Sequence, residues 1–450
     1  MRILTMFLLL CGLLATIGAH ADLDSFFTKP EPAYAWKKIS QKVVAGGTVY
    51  DLHLVSQTWQ GRDWEHRLQV FYPDNIKNPH FCTLLNTGGS GSDREEILGM
   101  TAAKMADCPF AILYNIPNQP LYDGLKEDAL VVYTWQKFLE TGDESWPLHF
   151  PMAKAVLKAM DTVQALTKAE KLPSIDKFLI TGASKRGWTT WLDGASRDKR
   201  IKAIAPMVID TLNVLAQMPH QLEAYGKPSE QVGDYTNADM MTKLQTPRGK
   251  RLMELEDPYS YRDRLTLPKL LIFGTNDRYW AQDALNLYWG DLKGPKWVMY
   301  TPNSGHDLSN GYLQVVNTLT AFARAQATDT PWPRLTWKYI IPKIVSASAD
   351  ANTAKIAAGI DLQVISDLKP KSARLFRAYA KTQDFRDSKW TSEPITVSDI
   401  SANAYTVSGH LDAPTEGYAT TYGEITYEIQ GKAFTLTTQI HILKASSPSK

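Results

Sequence analysis

From Phe81 to Tyr300 the chain alternates short apolar runs rich in β formers with amphipathic stretches. The runs are Phe81–Leu85, Phe110–Tyr114, Lys177–Thr181, Ile201–Val208, Lys269–Phe273 and Lys296–Tyr300. Between them, segments such as Met152–Leu166 place Val156, Met160 and Val163 on one helical face. Strands that are apolar throughout need cover on both faces. A strand–helix–strand alternation supplies it by building a parallel sheet with helices on each side. Ahead of this region, Thr48–Trp59 and Trp64–Tyr72 alternate polar and apolar residues around a turn at Gly61-Arg62-Asp63, which predicts an antiparallel hairpin. An antiparallel start followed by parallel strands predicts an α/β fold with the mostly parallel sheet of an α/β-hydrolase.

Two segments break the alternation. Residues from Asp210 to about Arg264 are polar, contain Tyr and Met, and are helical in part, which predicts an insertion that caps a site. Beyond Ala327, Thr328-Asp329-Thr330-Pro331-Trp332-Pro333 predicts a stiff linker over 328–334. Helical periodicity is absent from Leu335 onward. Leu375–Tyr379, Tyr405–Ser408, Ile425–Ile429 and Phe434–Ile442 have the pattern of short strands, with a hairpin turn at Gln430-Gly431. A C-terminal β-sandwich of immunoglobulin or fibronectin type is expected over 335–450, as an accessory or binding domain beside a hydrolase domain over 22–327. A length of 450 residues suits two such domains.

The first residues carry a different message. Arg2, an apolar run from Ile3 to Ile17, and Ala19-His20-Ala21 predict a signal peptide over 1–21, with Asp22 as the mature N-terminus and export to the periplasm or beyond. Leu10 is too bulky for a lipoprotein anchor at Cys11. No later segment is apolar for long enough to cross a bilayer. Net charge is +2 and no basic stripe stands out, so nucleic acid and anionic membranes are not expected partners. After the leader only Cys82 and Cys108 remain, and one disulfide is expected between them. Cys82 begins the third strand of the sheet and Cys108 directly precedes the fourth; these strands are neighbours in this fold.

Gly182-Ala183-Ser184-Lys185-Arg186-Gly187 lies between the run Lys177–Thr181 and the helical pattern Trp188–Ala195. A serine at a sharp strand-to-helix turn is lifted into the open, and small residues must flank it because strand and helix pack closely there. Arg186 stands where the usual Gly-x-Ser-x-Gly motif has its second glycine, so the turn is a variant. A hydroxyl nucleophile needs a base, and the base needs an acid to hold it. Asp277 follows the run ending at Phe273, and His306 follows the run ending at Tyr300, in the order Ser, Asp, His expected for this fold. Asp210 is the alternative acid. The developing oxyanion needs donors. The N–H of Lys185 is one candidate, and Gly88 or Gly89 of Asn86-Thr87-Gly88-Gly89-Ser90-Gly91 is the other. Lys185 and Arg186 are either ligands for an anionic substrate group or solvated helix-start residues. Tyr279 and Trp280 either line the pocket or pack in the core. Glu127-Asp128 pairs with a helix dipole more readily than with a substrate amine. The nine histidines show no metal-ligand spacing, so no metal or organic cofactor is implied.

The segment Gly182–Trp191, together with Ile116-Pro117-Asn118-Gln119-Pro120-Leu121, Asp257-Pro258-Tyr259, Pro302-Asn303 ahead of His306, Asp384-Phe385-Arg386 and Trp390, resembles the PhoPQ-activated pathogenicity-related family across nearly the whole mature chain. The resemblance implies an exported α/β-hydrolase tied to bacterial virulence and to resistance to cationic antimicrobial peptides. The Gly-x-Ser-basic-x-Gly turn also resembles, locally, that of glucuronoyl esterases. The expected function is an exported serine hydrolase forming an acyl-enzyme on a peptide or ester substrate. The rival expectation is a catalytically idle binding protein on the same scaffold.

Overall fold

In the computed structural model, residues 23–341, 359–401 and 404–445 are described. The expected leader over 1–21 lies outside the described residues. After a short helix α1 (Leu23–Thr28), strands β1 (Ala35–Val44), β2 (Gly47–Trp59) and β3 (Arg62–Pro73) form an antiparallel meander. The β2–β3 turn is Gln60-Gly61, one residue ahead of the expected centre. Both residues have positive φ, 48° and 72°, the left-handed pair that a two-residue hairpin needs.

The alternating region follows: β4 (Phe81–Asn86), α2 (Asp93–Ala106), β5 (Phe110–Leu113), α3 (Glu127–Thr141), α4 (His149–Ala169), β6 (Lys177–Ala183), α5 (Lys185–Ala195) and β7 (Ile201–Met207). Helices α6 (Val214–Tyr225), α7 (Gly233–Asn237), α8 (Met240–Lys243) and α9 (Pro247–Glu256) then precede β8 (Lys269–Gly274), β9 (Lys296–Thr301) and α10 (Tyr312–Ala327). The strand order is β1-β2-β3-β5-β4-β6-β7-β8-β9. Strands from β5 through β9 run parallel to one another, and β3 is antiparallel to both its neighbours. This is the α/β-hydrolase sheet. Side chains of α3, α4 and α5 share one core on one face; those of α10 share another on the opposite face with Ala106 at the end of α2, whose Met100 and Ala103 pack on Phe71 and Phe110.

That division decides the cysteines. Cys82 belongs to the core under α3–α5, whereas Cys108 belongs to the core under α2 and α10. Thiols that face opposite sides of a sheet cannot meet without moving backbone. The expected disulfide is therefore not formed, and both residues are buried free thiols. Burial pushes both thiols up, Cys108 to about 12.

The tail contains β10 (Leu335–Ile340), β11 (Gly359–Ser366), β12 (Ser372–Ala380), β13 (Thr391–Pro394), β14 (Thr396–Ser401), β15 (Ala404–Asp412), β16 (Tyr418–Ile429), β17 (Lys432–Thr437) and β18 (His441–Lys444). One antiparallel sheet has the order β10-β11-β15-β14. The other tail strands do not form a sheet of their own. They extend the hydrolase sheet as β9-β17-β16-β12-β13, with β18 also on β16. The junction is Thr437 opposite Val298. Leu362, Val364 and Val407 of one layer pack with Leu375, Ile425 and Leu436 of the other. The segment expected to be a stiff linker is docked. Trp332 is 7% exposed and stacks on Phe434 at 4.1 Å.

Candidate active site

Strand β6 delivers Ser184 to a turn that no ordinary residue adopts freely. Its φ is 58° and ψ is −129°. Such a conformation costs about 1–3 kcal/mol and persists only where the surroundings enforce it. They do so here. The Ser184 N–H donates to Met207 O at 2.9 Å, and the Ser184 carbonyl accepts from Trp188 N at 3.0 Å. A Cβ on Gly182 would lie 2.6 Å from Arg186 O, and one on Gly187 would lie 2.8 Å from Met207 O. Both glycines are required by close backbone approach, so the variant turn keeps its geometry without glycine at position 186.

Strands β8 and β9 end beside each other. Their loops are tied by Asn276 N donating to Ser304 O at 2.9 Å. His306 Nδ1 meets Asp277 Oδ2 at 2.7 Å, and Asp277 Oδ1 accepts from Tyr279 N at 3.0 Å. The ring of Tyr279 lies 4.3 Å from that of His306. The carboxylate holds the Nδ1 proton, which leaves Nε2 free to act as a base. Nε2 is buried and has no hydrogen-bond partner among the described residues. Asp210 is engaged elsewhere: Tyr288 Oη donates to it at 2.7 Å, and burial pushes its carboxyl up to about 8.

The basic pair after Ser184 is neutralised from within. Both Arg186 NH groups reach Glu127 at 2.7 Å, its Nε donates to Ile116 O, and Lys185 Nζ reaches Glu127 at 2.7 Å and Asp128 at 3.2 Å. The sequence pattern alone points to helix-dipole pairing for Glu127-Asp128; it carries no signal for this ion-pair network. Lys185 is the first residue of α5, so its N–H has no acceptor within the helix. A Cβ on Gly88 would sit 2.0 Å from the Arg186 guanidinium, and the Gly89 N–H leans on Thr87 Oγ1 at 3.5 Å.

Ser184, Lys185, Tyr279 and Trp280 line a cavity of about 120 Å³. Its other walls come largely from the α6–α9 insertion, including Met218, Val232, Met240 and Leu244. The insertion therefore closes over the serine. A second support comes from the tail. Asn276 Nδ2 donates to Arg386 O and Ser388 O at 3.1 and 2.8 Å, and Asn303 exchanges two hydrogen bonds with the backbone of Trp390.

Residues 23–386 match the family described as PhoPQ-activated pathogenicity-related protein. The chain belongs to this family. A relative from Dictyostelium discoideum, autocrine proliferation repressor protein A, is 33% identical over 398 residues, covering 84% of this chain and 78% of the relative. Solved structures with a similar fold include acetyl xylan esterase 1 from Thermoanaerobacterium sp., at 13% identity and a TM-score of 0.47, covering 68% of this chain and 93% of that one. An S-formylglutathione hydrolase from Agrobacterium tumefaciens follows at 14% identity and a TM-score of 0.44, covering 65% and 99%.

Proposed function

We propose that this family member is a serine hydrolase that works through an acyl-enzyme. The observation that carries the reading is the His306–Asp277 pair, with an unpartnered buried Nε2, on loops at the same sheet edge as a serine held at φ 58°. Ser184 Oγ attacks the substrate carbonyl while His306 Nε2 takes its proton. Asp277 keeps Nδ1 protonated and steadies the imidazolium. The Lys185 N–H and a donor from Gly88 or Gly89 receive the oxyanion. The tetrahedral intermediate collapses as His306 returns the proton to the leaving group, and water repeats the sequence to release the acid. The largely apolar cavity favours an ester or peptide with an apolar acyl part. An acidic ester loses support because Lys185 and Arg186 already face Glu127.

A fluorophosphonate probe tests the reading. Stoichiometric labelling of the wild type and none of Ser184→Ala is expected. An unlabelled wild type, or equal labelling of Ser184→Ala, would sink it in favour of an idle binding protein. Comparing p-nitrophenyl esters with peptidyl anilides then separates the two bond classes. Export after removal of residues 1–21 is part of the same proposal, and the N-terminal residue of the exported protein checks it: Asp22 is expected.

A further inference from the structure

Tyr279 stands two residues after Asp277 and meets both members of the Asp277–His306 pair. Its backbone N–H donates to Asp277 Oδ1 at 3.0 Å. Its ring packs against the His306 imidazole, with centroids 4.3 Å apart and planes tilted by 35°, nearer to face-on than to edge-on. Other contacts hold that ring where it is. Gln221 Nε2, on α6 of the capping insertion, donates to the Tyr279 carbonyl at 2.8 Å. Tyr279 Oη makes a long hydrogen bond of 3.4 Å to Asp128 Oδ2. Asp128 in turn meets Lys185 Nζ, on the residue after Ser184, at 3.2 Å. Burial and the neighbouring Asp128 carboxylate push the phenol up to about 12, so the ring stays neutral at pH 7.

A neutral imidazole gains little beyond packing from an aromatic neighbour. An imidazolium is attracted by the negative face of the ring when it lies within about 6 Å of the centroid. His306 passes from the first state to the second only as Ser184 gives up its proton. The attraction therefore grows toward the transition state, and it lowers the barrier rather than tightening the ground-state complex. Asp277 steadies the cation from one edge, through Nδ1. The phenol ring acts on the imidazole as a whole and uses neither ring nitrogen, so the two effects do not compete. The His306 side chain is 27% exposed and Tyr279 is partly buried, which places the contact between the exposed and the desolvated cases of such pairs.

We infer that Tyr279 is a positioning residue for the base: its ring orients the His306 imidazole and stabilises the imidazolium formed while Ser184 attacks. The inference rests on the hydrolase reading, because only a base that takes up a proton calls on the ring in this way.

Fluorophosphonate labelling reads the step. Ser184 Oγ bonds to phosphorus, fluoride leaves, and the Oγ proton passes to His306 Nε2. Full time courses separate the limiting labelling rate from the affinity of the first probe complex. Tyr279→Phe keeps the ring and should label within about threefold of the wild type. Tyr279→Leu keeps an apolar side chain without a π face, and its limiting rate should fall by about tenfold. Mono-, di- and trifluorinated phenylalanine incorporated at position 279 keep the ring while draining charge from its face. Their limiting rates should fall step by step below that of Tyr279→Phe, to about tenfold for the trifluorinated ring, with probe affinity changed by less than about twofold. A ring that only packs would give the same rate across this series, and the series needs no variant that empties the site. Equal limiting rates across the fluorinated rings, a decline confined to probe affinity, or a Tyr279→Leu protein as fast as Tyr279→Phe overturns the inference and leaves the hydrolase reading standing. A wild type that takes no label overturns both.

Discussion

Arg186 forks onto Glu127 through two hydrogen bonds of 2.7 Å. Burial raises the Glu127 carboxyl, but the hydrogen bonds and charges of Arg186 and Lys185 outweigh it and hold the group well below the usual carboxylate range. The two cations beside the nucleophile are therefore a structural brace between α3 and α5. Glu127→Gln should cost about 1–2 kcal/mol, less than a fully buried pair because Glu127 is 44% exposed and partly screened. A depressed carboxyl stabilises the fold above its unfolded pKa, and that contribution fades as pH falls through the folded value. The Tm gap between wild type and Glu127→Gln should be full at pH 6–7 and shrink below about pH 4.5, as calorimetry across pH will show.

Asp277 and Asp210 separate by what they touch. Asp277→Asn leaves His306 without the acceptor that fixes its tautomer and should slow fluorophosphonate labelling by about 10⁴-fold. Asp210 faces Tyr288, and with its carboxyl pushed up to about 8 it is protonated at pH 7. Asp210→Asn is then close to isosteric and should label at nearly the wild-type rate. A raised carboxyl loses its contribution to stability as pH climbs from the unfolded pKa through the folded one. The Asn variant should accordingly gain on the wild type between about pH 4 and pH 8, read as Tm against pH.

Close packing at the serine turn makes a graded test. Gly182→Ala would drive a Cβ to 2.6 Å from a backbone carbonyl of α5, which cannot yield cheaply. A loss of about 1–3 kcal/mol is expected, with slower labelling as Ser184 is displaced. Gly233, in α7, meets nothing within 4 Å of an added Cβ. Gly233→Ala should be neutral or stabilising by up to about 1 kcal/mol, because alanine favours the helix. Urea titrations of the two variants supply the comparison.

The buried thiols give a direct chemical readout. In protein beginning at Asp22, a thiol reagent should modify neither Cys82 nor Cys108 while the fold is intact, and both after denaturation. Reducing agent should leave Tm unchanged. A mass two hydrogens short of the fully reduced chain would refute the free-thiol state.

Much of this was legible because sheet architecture writes itself into local patterns. Runs such as Leu270–Phe273 mark buried strands, and the residues just beyond them fall at one sheet edge by topology alone. That is how sequence order nominates Ser184, Asp277 and His306 for the proposed triad. What sequence order does not carry is which face a side chain takes and what it meets across the chain. Cys82 lies in β4 and Cys108 just ahead of the neighbouring β5, but they face opposite sides of the sheet. His149 and Glu256 are 107 residues apart, and neither stands in a recognisable motif. The tail strands look like an independent sandwich because each alternates on its own. The pairing of Thr437 with Val298 shows that five of the nine described tail strands continue the hydrolase sheet.

That continuity brings the tail to the chemistry. Asn303 precedes His306 on the β9 loop. Its Nδ2 donates to Trp390 O at 2.9 Å and its Oδ1 accepts from Trp390 N at 2.8 Å. Asn276, next to Asp277, is held by Arg386 O and Ser388 O in the same tail segment. The loops that carry Asp277 and His306 are thus both clamped by backbone from residues 386–390. Asn303→Ala removes both clamps on one loop while leaving His306 and Asp277 in place. It should cost about 1–3 kcal/mol in stability and slow labelling of Ser184, because the imidazole is less well held. Asn310→Ala serves as the comparison: Asn310 Nδ2 donates to Asn303 O on the same loop, and among the described residues it has no hydrogen bond to the tail. If Asn303→Ala labels as fast as the wild type, the tail contributes packing alone. If it labels slowly while retaining its fold by circular dichroism, the tail positions the base.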